Sequence, residues 1–414
     1  MKTDVAYILW EFPAISETFI SNEIRALDQN HGLNIRIFSN KKANPEKIHE
    51  ETKIYLQATD YLPSLISLPH VAALFYFLFL RPIKFFGIFL KIISMVPFNT
   101  PNRIPYFVAQ SSFCLIKAFN ISKKIMSNKP THLHSHYAES AAYMTMMVSF
   151  LTDIPYSFTM HAHDIFINKN KKLIVYLIKN SKFAVTISKF NRKYLVNLDP
   201  SVRDKIHIIH CGIDLDRFNP ERKNQKNPFQ VLTVARLVKT KGVHKVIQAL
   251  ASLAGKEEVI YKVIGSGPEA ENLHNLVKKK NLSKQVVLMG AQVSQVVLDE
   301  LNASDVFVLH CLRGDDGNMD GIPVALMEAM AMKLPVVSTK LSGIPELIKD
   351  GAGLISEPED DEALIANLEK IMSMPESERR KMGEIGRNII EREFNLETET
   401  KKLKSLFLGS HAKN

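Results

Sequence analysis

A chain of 414 residues is longer than one compact core serves, so two domains are expected. Apolar residues at 46% and charged residues at 23% exclude a disordered chain, and a formal net charge of +10 suits anionic partners or surfaces. The three cysteines, Cys114, Cys211 and Cys311, show no C-x-x-C or zinc-finger spacing, which argues against a metal-ribbon or redox motif and fits a reducing, cytoplasmic compartment.

The opening "MKTDVAYILWEFP" carries one lysine before a short alternating segment and reads as a strand, not as a secretory leader. Short β-branched runs then alternate with helical patterns. "VAYILW" (5–10), "IRIFS" (35–39), "THLHSH" (131–136), "YSFTMH" (156–161), "FAVTIS" (183–188) and "IHIIHC" (206–211) read as strands. Between the second and third lies a long apolar stretch, 62–98. Its longest clean run, Val71 to Leu80, ends at Arg81-Pro82 and is half of the ~20 residues a spanning helix needs. It reads either as two helices buried on the domain or as a basic, amphipathic surface lying in a membrane interface. The cluster Phe75, Tyr76, Phe77 and Phe79 favours the membrane.

"NPERKNQKNP" (219–228), polar and with two prolines, reads as a linker. The alternation restarts with "QVLTVAR" (230–236), "YKVIGSG" (261–267), "VVLMG" (286–290), "VFVLHC" (306–311), "PVVST" (335–339) and "GLIS" (353–356). Near-continuous apolar strands separated by helices mean parallel sheets covered on both faces. The expected architecture is therefore α/β, with two doubly wound Rossmann-like domains in series facing a central cleft. They span 1–218 and 219–395, and a terminal helical segment, 396–414, is placed to cross back to the first. Ligands bind such sheets at the carboxyl ends of the strands.

Three motifs are weighed and set aside. "GSGPEA" (265–270) nearly fits a dinucleotide fingerprint but follows the second strand of its unit and lacks the downstream acid, so hydride transfer is not expected. "DGNMDG" (316–321) opens like a calcium loop, but the twelfth position is Met327, not glutamate, and Pro323 interrupts it. His132, His134 and His136 share a strand face, joined by His161 and His163. Strand spacing spreads them too far for all to hold one ion, and no metal is expected.

Two stretches keep their charge where burial is expected. Pro323 suits the first turn of a helix, which leaves the amides of Val324 and Ala325 as an anion site, with Asp320, Gly321 and Ile322 in the loop before it. Glu328 lies within that otherwise apolar helix. An unpaired buried carboxylate costs several kcal/mol unless a bound group supplies donors, as two sugar hydroxyls would; a salt bridge is the alternative. Arg236 ends the first strand of the second domain, and Lys241 and Gly242 open the next helix. Both cations thus stand at the carboxyl edge, where a fork and a point charge can grip a diphosphate without a metal ion.

"SETFI" (16–20), "HAHDIF" (161–166), "VTISKFNRKYL" (185–195), "HCGIDLDRF" (210–218), "VARLVKTKG" (234–242), "GSGPE" (265–269) and "DGIPVALMEAMAMKLPVVSTKLSGIPELI" (320–348) together resemble the retaining glycosyltransferases of family four. The similarity is to the branch that builds colanic acid, capsule and other exopolysaccharides. The resemblance implies the GT-B fold, no metal, and retaining transfer of a hexose-type sugar from a UDP- or GDP-sugar. It places Glu328 on the ribose, the segment around Val293 on the base and His161 near the sugar. Asp320 stands where the family has the first of two glutamates and is shorter by one methylene, roughly 1.5 Å. "FPAISETF" (12–19) replaces a glycine-rich turn of related enzymes; Ser16 and Glu17 are candidates for acceptor or phosphate contact, and Glu17 equally for a helix N-terminal acid. The implied partners are a nucleotide-sugar, a lipid-linked or oligosaccharide acceptor and the inner face of the plasma membrane, with no nucleic acid. Two other readings stay open: a nucleotide-sugar-binding assembly protein without chemistry, and a GT-B enzyme acting on a soluble acceptor.

Overall fold

The computed structural model describes residues 4–14, 17–44, 52–96, 101–220, 228–253 and 258–409. Contacts divide the chain into two units. The first comprises 1–187, 191–209 and 399–414, and the second 188–190 and 210–398.

In the first unit seven strands form one sheet: β1 (Asp4–Phe12), β2 (Asn34–Lys42), β3 (Thr59–Tyr61), β4 (His132–His136), β5 (Tyr156–Met160), β6 (Phe183–Thr186) and β7 (Ile206–Ile208). Their order is β3-β2-β1-β4-β5-β6-β7, and every pairing is parallel. In register, Tyr7 of β1 lies between Ile37 of β2 and His134 of β4. The winding reverses between β1 and β4, which makes the carboxyl ends of these strands the favoured ligand position. Six of the seven strands coincide with the sequence expectation. The three-residue β3 does not, because "TDY" has too few apolar residues to give a period.

One face of this sheet buries Val5, Tyr7 and Leu9 with Ile20, Ile24 and Leu27 of the following helical segment, and with Leu403 and Phe407 of the helix Leu396–Leu408. That last helix is held by more than packing. Lys404 donates to the His31 carbonyl at 2.9 Å, and Thr400 hydrogen-bonds the His31 ring at 3.0 Å.

The apolar stretch forms two helices, Leu68–Leu80 and Pro82–Ile93, bent by 107°. Arg81-Pro82 supplies the break: a residue before proline is biased out of the helical region, and Arg81 adopts φ −140°, ψ 51°. No single described helix is long and apolar enough to cross a membrane. Ala73, Phe77 and Ile88 are buried, and Phe77 and Phe85 pack on Phe119 of the helix Ile104–Ile125. The opposite side is bare: Leu68, Phe79, Ile83 and Leu90 are 66–86% exposed with Leu80. The expected basic character is not on that bare side. Lys84 pairs with Asp153, and Lys91 lies over the rings of Phe150 and Tyr176.

The second unit has six strands: β8 (Phe229–Val234), β9 (Val259–Ile264), β10 (Val286–Gly290), β11 (Val306–Val308), β12 (Val336–Thr339) and β13 (Gly353–Ser356). Their order is β10-β9-β8-β11-β12-β13, again all parallel, with the reversal between β8 and β11. Alternate residues enter two separate cores. Val231, Val306, Val308 and Val337 go to one, and Leu232, Phe307, Leu309 and Val336 to the other. Side chains of successive strand residues point to opposite faces, so the sheet is covered on both. Most of the expected linker, residues 221–227, lies outside the described residues.

Candidate functional site

In the second unit the loops at the switch point converge on Asp320. Its Oδ1 accepts from Lys241 Nζ at 2.6 Å, and its Oδ2 lies 3.4 Å from Cys311 Sγ. Lys241 and Asp320 are only 19% and 24% exposed. Burial pushes the Lys241 ammonium down, but Asp320 and the neighbouring Cys311 together outweigh it, and the net shift is upward. Burial, reinforced by Asp320, pushes the Cys311 thiol well up; it stays protonated and donates.

Glycine backbone conformations make this convergence possible. Gly242, at φ 62°, lets the Lys239–Lys241 turn run against the β11 loop, because a Cβ there would stand 1.8 Å from the His310 carbonyl oxygen. Gly265 of "GSGPE", at φ 144°, does the same against the Ala235 carbonyl. Ala235 and Leu237 donate to Ile264 and Ser266, which ties the Arg236 loop to its neighbour. The dinucleotide look-alike is thus a backbone crossing. The calcium look-alike is a turn: Asp316 Oδ1 accepts the Asn318 amide at 2.9 Å, and Gly314 donates to the Asn318 carbonyl at 2.8 Å. Arg236 is exposed just past the end of β8, and Val293, 69% exposed, caps the helix that follows β10.

The apolar helix runs Val324–Ala331, with Pro323 at its cap position and not in the first turn as expected, because Pro323 has an extended ψ of 124°. The first-turn amides of Val324 and Ala325 have no intrahelical acceptor by construction. Leu326, Met327, Ala329, Met330 and Ala331 are buried, while Val324, Ala325 and Glu328 are half-buried. A helical residue shares its face with those three and four positions before it, here Ala325 and Val324. Glu328 therefore shares its face with the amide-bearing first turn. Burial pushes its carboxyl up to about 7, against the pull of the Arg217 guanidinium. The cation left unidentified from sequence is Arg217.

In the first unit the site residues gather at the ends of β1, β4 and β5. Ser16 lies outside the described residues. Glu17 caps the helix Thr18–Arg25 by position, yet its side chain makes no cap bond. Burial raises its carboxyl pKa, and a hydrogen bond from Tyr137 opposes the rise. Phe19 of the same "SETF" stretch packs on the His161 ring at 4.6 Å, and Tyr137, at φ 70°, packs on it at 4.9 Å. The backbone of His161 is pinned by Asp164. One carboxylate oxygen accepts the His161 and Ala162 amides at 3.0 and 3.1 Å, and the other accepts the Ala138 amide at 2.7 Å. Burial pushes the Asp164 carboxyl up to about 6, partly offset by the Ala138 and His161 amides.

Sequence reasoning missed Glu23 and gave His136 no role of its own. Glu23 Oε1 accepts from Tyr7 Oη at 2.7 Å and lies 3.1 Å from His136 Nε2; His136 Nδ1 is 3.0 Å from His161 Nε2. His132 does not join them: it stacks on Phe183 and bonds Ser157, and burial pushes it down to about 3. The expectation that the strand histidines spread apart thus holds for the set of three. His134 and His136 nevertheless converge with Glu23, their ligand atoms lying within 4.8 Å of one another, a spacing open to a metal ion. Only the "H-x-H" alternation signalled this. Glu23 lies a helical turn past "SETF" with nothing in sequence to link it to β4.

Two all-parallel, doubly wound sheets in series, each with polar groups at its switch point, define the GT-B class. The chain belongs to its glycosyltransferase families: residues 16–217 match Glycosyltransferase Family 4, and residues 216–389 match Glycosyl transferases group 1. The WcaL protein of Escherichia coli (strain K12), assigned provisionally as a colanic acid biosynthesis glycosyltransferase, is 37% identical over 49% of this chain and 51% of its own. The amylovoran biosynthesis glycosyltransferase AmsK of Erwinia amylovora is 32% identical over 55% and 56%. The chain thus spans about half the length of the curated relatives it matches. Among solved structures, Anabaena HepE in complex with UDP-glucose superposes with a TM-score of 0.72 at 14% identity, over 98% of this chain and all of HepE, which establishes the shared fold.

Proposed function

We propose that the protein transfers a hexose-type sugar from a nucleotide diphosphate donor to a lipid-linked glycan, with retention at the anomeric carbon, in surface polysaccharide assembly. The observation that carries this is the cluster at the β8/β11 switch point: Lys241 on Asp320, beside the open first turn at Val324 and Ala325. A leaving diphosphate needs fixed positive charge, and donors aimed at developing charge are worth roughly 3 kcal/mol each. Arg236, Lys241 and the helix amides supply it, so no divalent ion is required. Glu328 accepts the ribose hydroxyls, the Val293 segment meets the base, and Asp320 holds sugar hydroxyls once Lys241 turns to phosphate. His161 serves the reacting sugar, and Glu17 the acceptor. The names of WcaL and AmsK support an exopolysaccharide role, and the UDP-glucose complex of HepE supports a nucleotide-sugar.

The bare side of the two bent helices supports peripheral seating on the inner face of the plasma membrane, where a lipid-linked acceptor resides. One observation favours a second reading, donor binding without transfer: both oxygens of Asp320 are already engaged, by Lys241 and Cys311. Incubation with UDP- and GDP-sugars, with and without lipid extract and with EDTA throughout, separates the two. Nucleotide release dependent on lipid extract is expected; binding without release favours the second reading, and release only with added magnesium removes the metal-free mechanism.

A further inference from the structure

His161 is buried, and contacts within its own unit bear on its ring. Its sides are covered by Phe19 and Tyr137, and its Nε2 lies 3.0 Å from His136 Nδ1. The other nitrogen of His136 lies 3.1 Å from Glu23 Oε1, the oxygen that also accepts from Tyr7. A neutral imidazole has one donor and one acceptor nitrogen, so each bond in such a chain dictates the next. Burial alone would raise the Glu23 carboxyl, but His136 and Tyr7 bring it below its ordinary value, so it is an anion and accepts from His136 Nε2–H. With His136 as a neutral ring, its Nδ1 is the acceptor and takes its hydrogen bond from His161 Nε2–H. Burial holds His161 well below the usual histidine range, so it is neutral.

We propose that Glu23 and His136 are positioning residues: a buried carboxylate–imidazole–imidazole chain that holds His161 as the neutral Nε2–H tautomer and leaves Nδ1 as its acceptor nitrogen. A His161 of this kind accepts a hydrogen bond from a hydroxyl and does not donate one to phosphate. It therefore suits the sugar part of the donor. The chain itself stands on these contacts and on the charge of Glu23, while its bearing on turnover rests on the sugar-transfer reading above. The nitrogens of His134 fit the same picture, since both meet hydroxyls, Ser157 at 2.7 Å and Thr159 at 3.1 Å. Each ring nitrogen of His134 and His136 therefore has a partner that does not call for an ion.

The test is 15N-histidine NMR on the full chain at neutral pH, with the His161 signals assigned by their loss in His161→Asn. The expected pattern is a neutral ring protonated at Nε2. A His161 protonated at Nδ1, as an imidazolium at His136 would impose, overturns the proposal; so does stoichiometric zinc in the purified protein bound through His136. Glu23→Gln is nearly isosteric and is expected to mix or reverse the tautomer. It should lower kcat on the order of tenfold, as loss of a partner behind a functional histidine does, with donor KM within about twofold. Tyr7→Phe, which leaves the carboxylate in place, is expected to keep the tautomer. An unchanged tautomer in folded Glu23→Gln overturns the proposal. A shifted tautomer with unchanged turnover upholds the chain and removes His161 from the sugar-transfer reading. Should Glu23→Gln fail to fold, the wild-type tautomer still decides.

Discussion

Glu328 keeps its carboxylate on a helix whose remaining side chains are mostly core, and it does so against burial. Its carboxyl is raised to about 7, so the folded state binds a proton that the unfolded chain releases near 4.5. The associated stability is present below the unfolded value and is lost as pH rises through about 7. Glu328→Gln removes the charge. We expect its thermal midpoint to exceed that of the wild type above pH 7, the gap closing as pH falls toward 4.5. The unscreened shift is discounted for partial exposure to about 2 kcal/mol, a few degrees for a unit of this size. Calorimetry across pH checks the sign. The same variant should bind nucleotide-sugar at least tenfold more weakly; equal affinity would take Glu328 out of the donor site. Lys241 and Asp320 allow a second test by double substitution. Lys241→Met strands a mostly buried carboxylate and is expected to cost about 1–2 kcal/mol. Lys241→Met with Asp320→Asn should recover most of that stability without recovering donor binding. Recovery of both would show the pair to be structural only. The charges at 328 and 320 were legible in sequence because apolar surroundings make a charged residue conspicuous, and Lys241 because it opens a helix just after a strand end. The influence of Arg217 was not, since it lies 111 residues from Glu328 and acts only once the unit is folded, and nothing in the nine-residue spacing of Cys311 and Asp320 signals that thiol and carboxylate meet.

The two helices Leu68–Leu80 and Pro82–Ile93 show how far an element can be read without its surroundings. Their apolar character and the break at Arg81-Pro82 are plain in sequence. Which lysines face outward is not, because Lys84 and Lys91 are drawn to Asp153 and to the rings of Phe150 and Tyr176. On the proposed seating at a membrane, attraction then rests on area more than on charge. Accordingly, Phe79→Ser, Ile83→Ser and Leu90→Ser combined should abolish co-sedimentation with vesicles while leaving the circular dichroism spectrum unchanged. Because the burial term is apolar, raising salt should weaken wild-type binding only modestly. Vesicle binding that survives the triple substitution would remove the membrane role of this surface. Strand periodicity, by contrast, exposed twelve of thirteen strands, since runs buried on both faces admit few polar residues. Only the short edge strand β3 escaped.

At the scale of the whole chain, two separate sheets wind outward from a reversal, β1/β4 in one and β8/β11 in the other, and each places its polar groups where the winding turns. The parallel, doubly wound character of the sheets followed from the alternation of strand and helix; the depth at which Glu23, His136 and Asp164 sit did not, because burial of a polar group is decided by partners brought in from elsewhere. The first unit also takes part of its core from the far end of the chain. Phe407 lies 5.1 Å from the His132 ring and 5.9 Å from Phe183, and Leu403 is buried with β1. Phe407→Ala is expected to destabilise that unit by about 3 kcal/mol, read from chemical denaturation; a change below ~1 kcal/mol would mean that the terminal helix is dispensable.

A growing polypeptide emerges from the ribosome amino end first, and residues 4–209 are out long before Leu403 and Phe407 are made. Until Leu403 and Phe407 have emerged, the face holding Val5, Tyr7 and Leu9 stays partly open. The earliest-made half is thus the last to be finished, and a nascent chain stalled before residue 399 would present chaperones and proteases with an unsealed surface.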